Sequence, residues 1–138
     1  MATEINKYVI DACALIAYFQ DEQGSDKFRE ILKKPNNQFI MHAANLGEVY
    51  YDTLRVSGKD KAQALFEKVA QLPITIIWEM DIHLISLIGE YKTSYRVSYA
   101  DCFALALAEK EGAILISTDH HEFDVIDNVG KLSFYWLR

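Results

Sequence analysis

Apolar residues along the chain fall into two kinds of run. The first kind is short and nearly unbroken: "KYVID" at 7–11, then "QFIM", "ITIIW", "AILIS" and "LSFYW". Runs of this length without polar alternation predict strands buried on both faces. Between them, apolar positions recur at helical spacing. "ACALIAYF" carries Leu15, Ile16 and Phe19. A helix capped by Ser25 is expected through Lys34, ending at Pro35, with Phe28, Ile31 and Leu32 inside. Ala43 to Arg55 presents Leu46, Val49, Tyr50 and Leu54 on one face. Lys59 to Leu72 starts after Ser57-Gly58 and stops before Pro73, and Asp81 to Tyr95 presents Leu84, Ile85, Leu87 and Ile88. Ser98 caps a helix from Tyr99 to Glu111, and Gly112 stands where a C-terminal cap glycine belongs.

Continuous apolar strands alternating with helices predict an α/β domain, a mainly parallel five-stranded sheet covered on both faces. In such sheets sites form beyond the carboxyl ends of the strands, where the strand order reverses. The length, 138 residues, fits one domain over 1–138, without linker or repeat. No stretch approaches the ~18 apolar residues of a membrane span. Met1 to Lys7 lacks a basic region followed by an apolar one, so no signal peptide is expected. Cys13 and Cys102 are then read as reduced thiols in a cytoplasm. The net charge of -6 argues against a broad basic surface for nucleic acid, unless cations gathered by the acids cancel part of it.

Four acids stand beside apolar sequence. Asp11 ends the first strand, and Asp119 follows the fourth in "LISTDHHEF". Glu48 lies on the helix after the second strand. Asp101 opens "DCFALALA", a run otherwise apolar and small. Each has an ordinary explanation alone. Asp11 suits a helix cap, Ser98-x-x-Asp101 resembles a capping box, Glu48 suits a solvated helix face, and Thr118-Asp119 suits a turn. "HHEFD", 120–124, reads as exposed loop, and Arg96, Lys92 and His42 as surface charge. Together the four acids point to chemistry. A buried carboxylate cluster repels itself and loses hydration, so it persists only with protons or cations. Without a committed histidine, the set suits Mg²⁺ or Mn²⁺ rather than zinc. Such sites serve phosphodiester hydrolysis.

At these residues the sequence resembles the PIN-domain nucleases, most closely the VapC-like toxins of toxin–antitoxin pairs. "YVIDACALIAYF" matches the first acid, "NLGEVYY" the second, "SYADCFALALAEKEGAILIST" the third and "STDHHEF" the fourth. Phe123 is matched as the apolar residue that closes the last loop. The resemblance implies a three-layer α/β/α PIN-like fold, an Mg²⁺ or Mn²⁺ site and cleavage of single-stranded RNA. It also implies a homodimer and an antitoxin protein in the groove. On that pattern Asp11, Asp101 and Asp119 bind metal, and Glu48 binds it through water or orients the nucleophile. Asn45, Ser117 and Thr118 support the acids, and Arg96 and Lys92 are candidates for RNA phosphate contacts. The chain departs from the pattern where Cys13 replaces the usual Ser, Thr or Asn, and where the loop from Asp119 to Phe123 is one residue longer. The competing expectations are a non-catalytic PIN-like module binding RNA or protein, and a receiver-like phosphoacceptor domain. The latter needs a lysine at a strand end near the acids, a place neither Lys110 nor Lys131 holds.

Overall fold

The computed structural model describes residues 5–138. Of the stretch read for a signal peptide, residues 1–4 lie outside the described residues. Five strands form one sheet: β1 (Asn6–Ile10), β2 (Asn37–His42), β3 (Ile74–Ile77), β4 (Ile114–Ser117) and β5 (Phe134–Trp136). Their order is β3-β2-β1-β4-β5, and all four pairings are parallel. The chain therefore lays down β1, β2 and β3 outward on one side. It then crosses over to place β4 on the other side of β1. This reversal sits between β1 and β4, and their carboxyl ends open onto a crevice.

Seven helices cover the sheet: α1 (Ala12–Phe19), α2 (Ser25–Leu32), α3 (Ala43–Ser57), α4 (Lys59–Ala70), α5 (Ile82–Ser94), α6 (Tyr99–Glu111) and α7 (His120–Val129). Strand periodicity divides the core. Val9, Ile40 and Leu115 point to the face covered by α5, α6 and α7, where they meet Leu84, Ile88, Leu105 and Phe123. Tyr8, Ile10, Phe39, Met41 and Ile116 point to the opposite face, where they meet Leu15, Phe28, Leu46 and Leu65. The result is the expected three-layer arrangement. Helix α6 explains its own composition: Cys102 through Ala108 are all buried, and small residues let it lie close on the sheet while α5 packs on its other side.

Three local expectations are corrected. Ser25 is the first residue of α2 rather than its cap; Gly24 holds the cap position, and the Ser25 hydroxyl donates to Asp21 Oδ1 at 2.9 Å. His42 is buried, not surface charge. Its Nδ1 accepts from the Ala44 amide at 3.0 Å, capping α3, and its Nε2 donates to the Glu79 carbonyl at 2.9 Å. "HHEFD" is the first half of helix α7, not a loop. Phe123 and Ile126, three apart and buried, and Gly130 closing the helix at φ 81° carry that signal in the sequence.

Gly24 fixes where the C-terminal segment docks. It sits at φ +100°, and a Cβ there would stand 2.7 Å from the Leu137 carbonyl oxygen. Gly24→Ala is therefore expected to destabilise the fold by roughly 1–3 kcal/mol, from the left-handed backbone and the displaced Leu137 together. Urea unfolding checks it; an unchanged midpoint would mean the backbone relaxes freely there.

Candidate active site at the carboxyl ends of β1 and β4

Asp11 follows β1 directly. Its backbone turns out of the sheet, and its carboxylate caps α1, with Oδ1 accepting from the Ala14 amide at 2.8 Å. The other oxygen, Oδ2, accepts a short hydrogen bond from the Ser117 hydroxyl. That hydroxyl in turn accepts from the Asp119 amide at 2.9 Å. Ser117 is fully buried, and it links the acid after β1 to the acid after β4. The link depends on register: Ile10 pairs with Ile116, so the next residues on each strand, Asp11 and Ser117, lie side by side. Asp119 caps α7, its Oδ1 accepting from the Glu122 amide at 3.2 Å.

The other two acids come from helices. Asp101 lies in the first turn of α6, whose cap Ser98 accepts from the Asp101 amide at 3.0 Å. Glu48 projects from α3, and its Oε1 accepts from Asn45 Nδ2 at 3.0 Å. Each acid therefore has an ordinary structural place, and the four also lie near one another. Asp11 and Asp119 are caps, Asp101 stands in a capped turn, and all four acids share one space.

Their electrostatics show the sharing. Burial pushes the Asp11 carboxyl up to about 7; the Ser117 and Ala14 hydrogen bonds oppose this, while the charges of Asp101 and Asp119 add to it. Asp101 is raised to about 6, first by burial and then by Glu48, Asp119 and Glu122, against the Ser98 hydrogen bond. Glu48 is raised by burial and by Asp119, against its bond from Asn45. Cys13 sits half-buried among them, with Sγ 4.0 Å from Asp119 Oδ2. Burial raises its thiol strongly, and all four acids, Asp11, Asp119, Asp101 and Glu48, push in the same direction. A thiol held neutral in this way is no nucleophile.

Among the described residues, no three His, Cys, Asp or Glu side chains converge closely enough to hold one ion as they stand. The donor chemistry still fits a hard cation. Mg²⁺ keeps several waters and needs only one or two carboxylates directly. Carboxylates driven this far up hold a proton when alone and release it to a cation.

Around this centre the remaining expected residues divide. Thr118 is half-buried on the turn between Ser117 and Asp119, and it is Ser117 that makes the contacts to the acids. Arg96 and Lys92 line an open concavity with Ser98 and Glu122. It adjoins the site, since Ser98 caps the turn of Asp101 and Glu122 raises its carboxyl. Lys92 Nζ is already engaged, donating to the Val97 carbonyl at 2.8 Å, so Arg96 is the freer cation of the two. Glu122 is the site-edge residue that the sequence reading missed; its place three after the cap Asp119 is the available signal. Lys110 pairs with Asp81 at 2.8 Å and Lys131 with Glu109 at 2.9 Å, so neither serves a phosphoacceptor aspartate here.

The family model of the PIN domain matches residues 8–129. A search of curated proteins gives no match. Several solved structures share the fold. VapBC2 from Rickettsia felis, bound to a promoter DNA fragment, aligns with TM-score 0.72 at 16% identity, over 94% of this chain and 98% of that one. VapBC-1 from nontypeable Haemophilus influenzae gives 0.72 at 15%, over 95% and 98%. VapC20 of Mycobacterium tuberculosis, a toxin that cleaves the sarcin–ricin loop, gives 0.63 at 17%, over 78% and 86%.

Proposed function

The chain belongs to the PIN domain family, and from that premise we propose that it is a metal-dependent endoribonuclease, the toxin of a toxin–antitoxin pair, acting as one domain over 1–138. The observation that carries the reading is the meeting of Asp11, Glu48, Asp101 and Asp119 from four different elements. They lie near the carboxyl ends of β1 and β4, and burial raises the proton affinities of Asp11, Glu48 and Asp101. A fold has no need of one buried and three half-buried like charges gathered together; a cation-dependent site does. Supporting it, fold neighbours include a toxin that cleaves the sarcin–ricin loop and members of toxin–antitoxin systems.

Asp11, Asp101 and Asp119 are the residues that would hold Mg²⁺ or Mn²⁺, and Glu48 would bind it through water or orient the nucleophile. When bound, the cation supplies charge stabilisation for the phosphodiester oxygens. The chain's own groups do the rest. Ser117 holds Asp11 and Asp119 at a fixed spacing through one hydroxyl. Glu48, half-buried and raised, would accept a proton from the water as it attacks phosphorus, while the bond to the ribose oxygen breaks and that oxygen takes a proton from solvent. Arg96 meets the RNA backbone from the neighbouring concavity, with Lys92 behind it. An antitoxin placing Arg or Lys among the acids would replace the cation and exclude RNA together. A second copy of the chain is expected over the exposed Trp78, Met80, Ile82 and Ile85, which follow the edge strand β3.

The test is direct. Single-stranded RNA incubated with purified protein should be cut with Mg²⁺ or Mn²⁺ and left intact with EDTA. Equal cleavage in both conditions, or none with any divalent cation, would remove the nuclease reading and favour a non-catalytic binding module.

A further inference from the structure

Asn45 stands on α3 between Ala44 and Leu46 and is fully buried. Its Nδ2 donates both hydrogens at 3.0 Å, one to Glu48 Oε1 and one to the Ala100 carbonyl of α6. Both partners are pure acceptors, so the orientation of the amide is fixed. Its Oδ1 is buried and has no partner among the described residues.

A buried, unsatisfied carbonyl is costly to a fold. The hydrogen bonds do not account for keeping it. Glu48 is half-buried and can turn to water, and a helical carbonyl such as that of Ala100 has its own amide donor one turn on. Packing alone would favour an apolar residue beside the buried Leu46 and Val49. What the amide achieves is geometric. Glu48 is one turn further along α3, and Asp101 directly follows Ala100. One side chain therefore sets the spacing between two acids carried on different helices.

We propose that Asn45 is a positioning residue of the acid site, tying the Glu48 carboxylate on α3 to the first turn of α6 and so to Asp101. The inference rests on the reading of Glu48 and Asp101 as parts of one cation site. Its effect passes through Glu48, so removing Glu48 should make Asn45 nearly irrelevant to the cation.

The experiment is a double-mutant cycle read by Mn²⁺ binding to the protein alone, using electron paramagnetic resonance. Asn45→Ala should weaken Mn²⁺ binding roughly 10–100-fold in the parent. In a Glu48→Ala background it should weaken binding by no more than about twofold. Circular dichroism in EDTA should show the native fold throughout. Asn45→Leu, close to Asn in bulk and without a donor, goes through the same cycle and decides the matter if the alanine variant does not fold. Equal weakening in both backgrounds, or none in either, overturns the proposal. Loss of cooperative unfolding in both variants also overturns it, making Asn45 a folding residue. A parent that binds no Mn²⁺ fails the reading of the site itself, whereas a parent that binds Mn²⁺ beside unaffected Asn45 variants fails this proposal alone.

Discussion

Asp11→Asn is expected to lower RNA cleavage by roughly 10²–10³-fold, while the metal-free variant at pH 8 unfolds at a higher temperature than the parent. The two halves of the result separate function from folding. Asparagine keeps the oxygen that caps α1 through the Ala14 amide, so the local turn survives. It loses the charge. In the parent at pH 8 the buried Asp11 carboxyl, raised to about 7 from 3.8, must ionise with its hydrogen bonds only partly offsetting burial. About three pKa units correspond to a cost on the order of 4 kcal/mol. That cost is already net of the hydrogen bond from Ser117, so the variant, which loses both, gains at most about 4 kcal/mol. Asp101→Asn should change in the same directions with a smaller stability gain, since that group is raised only to about 6 and is less buried. Thermal unfolding in EDTA and in excess Mg²⁺, beside an RNA cleavage assay, checks both. If the Asp11 variant is clearly less stable in EDTA, and Mg²⁺ raises both proteins equally, then Asp11 is a cap and no ligand.

The second large effect is on pH dependence. In EDTA the parent should lose stability as the pH rises from about 4 to about 8, by on the order of 4 kcal/mol from Asp11 alone. The sign follows from proton counts. Unfolded, Asp11 and Asp101 titrate near 3.8; folded, they titrate near 7 and 6. Across that window the native state holds more protons than the unfolded chain, so removing protons favours unfolding. Their stabilising contribution is complete below 3.8 and is lost as the pH passes through the folded values. His120, raised by its hydrogen bonds to Asp124 and to the Arg138 carbonyl, acts with the same sign. The lowered carboxyls of Asp81 and Glu109 act below the window. Asp11→Asn isolates the main contribution: its slope should be much flatter. Mg²⁺ should reverse the parent's slope, because it binds the ionised, folded site. Urea midpoints across pH, with and without Mg²⁺, give the answer. A parent midpoint in EDTA that is flat or rising through the window would contradict the shared carboxylate site.

What could be read from the sequence depended on how local the signal was. Helix α6 was legible to the residue, because Ser98, a run of small apolar residues and Gly112 mark its start, body and end. The strands were legible as apolar runs. Asp11 and Asp119 stood out at strand ends, Asp101 at a helix start, and Glu48 only among the apolar positions of α3. Their connections could not be read. Ser117 meets Asp11 only because β1 and β4 pair with Ile10 opposite Ile116, a register set by long-range packing. Helix α7 was missed because two adjacent histidines and an acid at its start read as polar loop, although Phe123 and Ile126 had the right spacing. Histidine 42 was misplaced because its burial comes from Phe103 and Glu79, distant in sequence. The orphaned oxygen of Asn45 has no local signature at all.

The hydrogen bond from Ser117 to Asp11 spans 106 residues of chain. A ribosome adding about 5–20 residues per second takes roughly 5–20 seconds to cover that interval. Throughout it the emerging polypeptide carries Asp11, then Glu48, then Asp101, but has neither Ser117 nor Asp119. Any fragment released before β4 carries three of the acids without the hydroxyl that links Asp11 to Asp119. The crossover that puts β4 beside β1 thus acts as a timer: assembly of the proposed site waits until β4 has been made.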